Sequence, residues 1–184
     1  MKVLLLGIGN IMFSDEGVGA HLSRLLKRKY RFSSAEHTIE IVDGGTLAQL
    51  LTPIIAQNDY AIIFDCISAD NAAVGEVYFF DYEDMPRNVN WQGSAHEVEM
   101  LQTLAMMDML GDRPRTKIIG VIPERIEATT LELSESVQQG AIVMEKTAIK
   151  HLREIGFSVE EIEPNLTIAQ VAREFGQESF SKER

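Results

Sequence analysis

Five short strand-like segments, separated by segments with helical periodicity, constrain most strongly how this chain can fold. Runs without a polar break are typical of strands that are buried on both faces of a parallel sheet. Such runs occupy residues 3–6 and 61–64, residues 38–42 alternate and carry β-branched side chains, and residues 75–80 and 116–122 are further predicted strands. Apolar side chains recur at helical spacing in residues 18–26, 98–109 and 133–155. The alternation predicts a three-layer α/β fold, in which a twisted, mainly parallel five-stranded sheet carries helices on both faces.

The segments fit one domain followed by a tail. A length of 184 residues is typical of a single domain, and no repeat or linker divides it. We expect residues 1–160 to form one α/β domain and residues 161–184 to form a C-terminal tail, in which residues 167–175 have the spacing of a short helix. Residues 81–93 have few periodic apolar side chains and include Pro86, which predicts a loop.

Two acidic residues follow the first strand. Gly7 and Gly9 end that strand and allow the backbone to turn sharply. Ser14 has the position of an N-cap for the next helix, and Asp15 and Glu16 then fall in its first turn, where carboxylates favour the helix dipole. Ligand sites in open α/β sheets form beyond the carboxyl ends of the strands. The sequence therefore predicts a site at this turn.

The glycine pair also resembles part of a dinucleotide-binding motif. The third glycine of that motif would fall at position 12, where this chain has Met12. Carboxylates at the start of a helix repel a pyrophosphate and attract cations. Nucleotide or small-molecule binding is therefore the weakest hypothesis for this turn.

The overall charge and the single cysteine limit the partners and the compartment. A net charge of −11 argues against a nucleic-acid partner and against an anionic membrane surface. Cys66 has no second cysteine to pair with inside the chain, which favours a reducing compartment. No apolar run is long enough for a signal peptide or a membrane span. We expect a cytoplasmic protein.

Three potential metal ligands fall where strands give way to helices. Glu16 opens the helix after the first strand, Asp65 ends the third strand, and His96 opens a helix in the middle of the chain. One imidazole and two carboxylates suit zinc, nickel, manganese or iron. The spacing alone does not distinguish such a site from separate surface residues. A thiol nucleophile at Cys66 is a second hypothesis, but the neighbouring carboxylate disfavours a thiolate.

An ordered set of motifs resembles the hydrogenase maturation proteases. The motifs run in family order over about residues 1–155. They are Gly7-Ile8-Gly9-Asn10, Asp15-Glu16-Gly17-Val18-Gly19, Asp43-Gly44-Gly45-Thr46, Asp65 at a strand end, Ser94-x-His96 and Gly120-Val121-Ile122-Pro123. Each motif is weak alone, but their ordered combination is specific. The chain departs from the family pattern at Cys66, where a small residue is common, and beyond residue 160.

The resemblance implies an endopeptidase that removes the C-terminal extension of a nickel-iron hydrogenase large-subunit precursor after nickel insertion. It implies that Glu16, Asp65 and His96 bind nickel, which the precursor supplies, and that they form the catalytic site. Zinc or cadmium are further ions that such a site could accept in vitro. The resemblance also implies that the turn Asp43-Gly44-Gly45-Thr46 helps to select the substrate.

Three points stay open at the level of the sequence. The same residues fit a non-catalytic chaperone that binds the precursor, and they fit a general metal-dependent peptidase. Metal assistance is the economical mechanism because the sequence contains no convincing catalytic triad. Whether Glu16 or Asp65 also acts as a general base is undecided.

Overall fold

The computed structural model of this chain describes residues 1–46, 48–90 and 95–181, except for the side chains of residues 90, 95–97 and 176–181. The strands are β1 Lys2–Ile8, β2 Tyr30–Ser33, β3 Thr38–Gly45, β4 Tyr60–Cys66, β5 Ser68–Ala69, β6 Val77–Asp81, β7 Val89–Asn90, β8 Arg115–Val121 and β9 Ser158–Glu161. The α-helices are α1 Val18–Lys29, α2 Thr52–Ala56, α3 Ala95–Leu110, α4 Glu135–Glu154 and α5 Ile168–Ser181. Short 3₁₀ turns occupy Ser14–Gly17, Ala48–Leu51 and Tyr82–Asp84.

The central sheet has five strands in the order β3-β1-β4-β8-β6. The first four are parallel, and β6 is an antiparallel edge strand paired with β8. Parallel neighbours need helical crossovers, and these helices supply the two outer layers. The predicted three-layer α/β fold with a mainly parallel five-stranded sheet is therefore confirmed.

Alternation along the central strands divides the core between the two faces of the sheet. In β1, Val3 and Leu5 pack with α1, α4 and α5, whereas Leu4, Leu6 and Ile8 pack with α2 and α3. Successive side chains of a strand point to opposite faces, so a run that is apolar at every position fills both cores. The unbroken apolar runs of the sequence have this physical origin.

Two small antiparallel sheets were not predicted. Strand β2 pairs with β9, so that Tyr30 lies opposite Glu161. Strand β5 pairs with β7, and β7 lies inside residues 81–93, which were predicted as a loop. These strands are two to four residues long, and β2 and β9 are only partly buried. Such short strands depend on distant partners and leave little periodic signal in the sequence.

The C-terminal segment packs against the domain. Leu166, Ile168 and Val171 belong to the same buried core as α1 and α4. Helix α5 thus covers a part of that core. It includes most of residues 167–175, whose spacing predicted a short helix. None of the helices in the described part of the chain has the length and apolar character needed to cross a membrane.

Helix α1 lies unusually close to the sheet at Gly19. A Cβ atom on Gly19 would come within 2.2 Å of the Ile8 carbonyl oxygen and within 2.1 Å of the Phe64 carbonyl oxygen. Both contacts are with backbone atoms of β1 and β4, which cannot rotate away. The start of α1 is therefore fixed over the carboxyl ends of two central strands.

Gly19→Ala should destabilise the protein by about 3 kcal/mol or more, because the added methyl group forces the helix away from the sheet. Alanine at an unobstructed helical position would instead stabilise by about 1 kcal/mol relative to glycine. Urea denaturation measures the difference, with Lys146→Ala on the exposed face of α4 as the control. A stability equal to or above that of the wild type would contradict the close approach.

Candidate metal and peptidase site

Glu16 and Asp65 lie at the same edge of the sheet. Glu16 belongs to the 3₁₀ turn that leads into α1, and Asp65 is the penultimate residue of β4. Glu16 is 6% exposed and Asp65 is fully buried. The Cys66 thiol donates a hydrogen bond to the Asp15 carbonyl oxygen over 2.9 Å, which joins the end of β4 directly to this turn. The structure thus brings two of the three predicted ligands to one buried edge.

The third predicted ligand is only partly described. His96 lies in the first turn of α3, and its side chain lies outside the described part of the structure. Ser94 of the Ser94-x-His96 motif also lies outside the described residues. Among the described side chains, no three His, Cys, Asp or Glu residues form a cluster that could hold a metal ion. The convergence of the trio therefore stays a prediction.

Ser14 does not act as the predicted N-cap. It precedes the helix in a left-handed conformation, with φ of 47°, and the residue that caps the 3₁₀ turn is Phe13. The Ser14 hydroxyl donates to the Arg125 carbonyl oxygen over 2.9 Å and accepts from the Glu127 amide over 3.2 Å. The N-cap prediction is wrong because this hydroxyl forms its hydrogen bonds with the backbone of the loop of residues 123–134. That loop was not anticipated as a partner.

Asp15 anchors the 123–134 loop. Its fully buried carboxylate accepts hydrogen bonds from the amides of Glu124 and Arg125, each over 3.0 Å. It also accepts from the Ser134 amide over 2.6 Å and from the Ser134 hydroxyl over 2.8 Å. Ser134 in turn caps α4 by accepting from the Val137 amide. Asp15 therefore has a structural role that its place in a first helical turn did not reveal.

Asp15→Asn should lower the free energy of unfolding by about 3 kcal/mol, because an amide offers one acceptor oxygen where the carboxylate serves four donors. Asp70→Asn, at an exposed position, is the matched control and should change stability by less than about 0.5 kcal/mol. Urea denaturation gives the free energies, and hydrogen exchange at the Ser134 amide reports the loop. Unchanged stability together with unchanged exchange would contradict the anchoring role.

The predicted recognition turn, residues 43–46, ends β3 beside the first strand. The Asp43 carboxylate accepts from Arg24 Nε over 2.6 Å and from its own turn at the Gly45 amide over 3.1 Å. Gly45 has φ of 58°, a conformation that glycine adopts without strain. The Gly45 carbonyl oxygen accepts from the Gly9 amide over 3.0 Å. The turn is thus connected to the segment that carries Glu16.

His21 is a buried histidine that the sequence did not single out. It is 1% exposed, and neither ring nitrogen has a hydrogen-bond partner among the described residues. The ring lies against Gly17, since a Cβ there would be 3.3 Å from His21 Nε2. Burial, reinforced by the charge of Arg24, lowers the pKa of His21 from its usual 6.5 to about 4. The imidazole is therefore neutral at physiological pH.

The His21 pKa makes stability depend on pH in a defined window. Between pH 6.5 and pH 4 the unfolded chain binds a proton at His21 that the folded chain does not bind. Stability should therefore fall by up to about 3 kcal/mol as the pH falls through this window. His21→Leu should remove this part of the dependence, measured by urea denaturation at pH 7.5 and pH 5. Ser23→Ala on the same helix should retain it, and an unchanged dependence in His21→Leu would contradict the assignment.

Cys66 does not have the environment of a nucleophile. The side chain is fully buried, and its thiol is used as a donor to the Asp15 carbonyl oxygen. A reactive thiolate needs a partly exposed, electropositive setting. The environment of Cys66 therefore disfavours the thiol hypothesis.

Fold and site together define a class of protein, an α/β protein with two buried carboxylates at the carboxyl edge of a mainly parallel sheet. The family model for hydrogenase maturation proteases (HycI) matches residues 20–151. Protein HydD of Wolinella succinogenes is 49% identical over 153 residues, which cover 83% of this chain and 95% of that protein. The chain belongs to the hydrogenase maturation protease family.

Further relatives agree in sequence and in fold. The hydrogenase 2 maturation protease of Escherichia coli K12 is 31% identical over 128 residues, which cover 69% of this chain and 76% of that protein. The solved structure of the hydrogenase maturating endopeptidase HybD from E. coli superposes with a TM-score of 0.77 at 28% identity, covering 88% of this chain and 98% of that one. The resemblance seen in the sequence motifs is thereby confirmed.

Proposed function

We propose that this protein is an endopeptidase that removes the C-terminal extension of a nickel-iron hydrogenase large-subunit precursor after nickel has been inserted. The observation that carries the proposal is the placement of Glu16 and Asp65 at one buried edge of the sheet, in a member of the hydrogenase maturation protease family. The described Cys66 hydrogen bond to Asp15 fixes these two segments relative to each other.

The donor set fits a divalent cation of the first transition series. Carboxylates and imidazole bind nickel, zinc and related ions, and three protein ligands leave positions open for a substrate. In this proposal Glu16, Asp65 and His96 are the ligands, and nickel arrives as part of the precursor. Zinc or cadmium could occupy the same ligands in vitro. When bound, the ion would supply a Lewis acid close to the scissile peptide bond.

The residues around the ligands have orienting roles. The Asp15 carboxylate and the Ser14 hydroxyl hold the 123–134 loop against the turn that carries Glu16. Burial of Glu16 and Asp65 keeps water away and strengthens their attraction for a cation. A precursor without nickel would bring no counter-charge to these carboxylates. The proposal therefore includes specificity for the nickel-loaded precursor, with the turn of residues 43–46 contacting it beside the site.

The test mixes the purified protein with nickel-loaded and nickel-free precursor and follows peptide release by mass spectrometry. We expect release from the loaded form alone. Glu16→Gln, Asp65→Asn and His96→Gln should each slow release by about 100-fold or more, because each removes one ligand. Glu127→Gln, an exposed acid on the 123–134 loop, is the matched control and should retain wild-type activity.

Each contrary outcome has a distinct meaning. Equal release from both precursors would contradict nickel gating. Cleavage of unrelated peptides in the presence of zinc or nickel would instead indicate a general metal-dependent peptidase. Stable binding of the precursor without cleavage, unaffected by the three substitutions, would indicate a non-catalytic chaperone.

A further inference from the structure

The Asp43 carboxylate, predicted to select the substrate, is already engaged within the protein. Its Oδ2 atom accepts from Arg24 Nε over 2.6 Å and lies 2.5 Å from a second nitrogen of the same guanidinium. Its Oδ1 atom accepts from the Gly45 amide over 3.1 Å. Both carboxylate oxygens thus have partners inside the protein. Asp43 is therefore better placed to hold the shape of its turn than to contact a precursor.

Arg24 has a second fixed partner on the C-terminal helix. Its guanidinium carbon lies 3.2 Å from the centre of the Phe175 ring. Arg24 and Phe175 also line a small cavity of about 170 Å³ between α1 and α5. A planar guanidinium can stack on an aromatic ring and donate from its edge at the same time. The ring of Phe175 thus restricts Arg24 to the orientation in which it pairs with Asp43.

Backbone contacts connect residues 43–46 to the segment that carries Glu16. The Gly45 carbonyl oxygen accepts from the Gly9 amide over 3.0 Å. Gly9 packs directly on the backbone of the site, since a Cβ at Gly9 would lie 1.9 Å from the Glu16 carbonyl oxygen. A continuous series of contacts therefore joins α5 to the recognition turn and the candidate site.

We infer that Phe175 and Arg24 are positioning residues that set substrate recognition, by holding the turn of residues 43–46 in the shape that receives the precursor. The inference rests on the proposed function for its substrate, and it gives the C-terminal helix a role beyond filling the core. The Arg24–Asp43 pair is 30% and 23% exposed, so solvent screening keeps its contribution to stability small. Its effect should appear in recognition of the precursor.

Steady-state cleavage of nickel-loaded precursor separates the two kinetic constants. Phe175→Leu removes the aromatic face and keeps an apolar side chain, and it should raise KM by about threefold with kcat unchanged. Arg24→Met removes both contacts and should raise KM by about tenfold. Phe175→Trp restores an aromatic face and should restore KM. Glu174→Gln, which alters the neighbouring exposed pair with Arg28, should leave both constants at wild-type values.

A second measurement does not require cleavage. Hydrogen exchange at the Gly9 and Gly45 amides should be faster in Phe175→Leu and Arg24→Met than in the wild type, and unchanged in Glu174→Gln. Unchanged exchange in the first two variants would overturn the positioning role. An equal fall in kcat and kcat/KM, or an unchanged KM, would overturn the role in recognition. A wild-type protein that cleaves no precursor would refute the proposed function and, with it, recognition of the precursor by this turn, while the exchange data would still decide whether α5 shapes the turn.

Discussion

The buried carboxylate of Asp15 is the interaction on which the arrangement of this edge of the sheet depends. Four donors, contributed by Glu124, Arg125 and Ser134, converge on its two oxygen atoms. A buried charge is tolerated only when its hydrogen-bonding capacity is satisfied, and here backbone amides and a hydroxyl satisfy it. One carboxylate therefore fixes the turn after β1, the 123–134 loop and the start of α4 relative to one another.

Two adjacent acids thereby have different physical roles. The Asp15 side chain turns towards the loop, and its carbonyl oxygen accepts from the thiol of Cys66 at the end of β4. Glu16, one residue later, belongs to the same buried turn at the carboxyl edge of the sheet. The sequence placed both acids in a first helical turn and predicted a ligand only at Glu16, with no separate role for Asp15. The difference follows from partners that lie more than 100 residues away along the chain.

The sequence was informative where burial is continuous and uninformative where contacts are distant. The central strands were predictable because runs such as residues 3–6 and 61–64 fill both cores, which leaves no room for polar residues. The Ser14 cap was predicted from local pattern alone and failed because Arg125 and Glu127 compete for its hydroxyl. At the site, Glu16 and Asp65 were placed correctly at one edge by topology. The position of the His96 side chain is still a prediction.

The C-terminal helix lies outside the part of the chain that the family model matches, yet it contacts residues inside that part. The family match covers residues 20–151 and ends before α5, so it contains Arg24 and Asp43 but not Phe175. The ring of Phe175 nevertheless lies against the guanidinium that donates to Asp43 in the turn of residues 43–46. A segment outside the matched residues thus contributes to the position of a side chain that pairs with Asp43. Because the Gly9 amide donates to Gly45 and Gly9 packs on the backbone of Glu16, the turn of residues 43–46 and the turn that carries Glu16 are joined through backbone contacts.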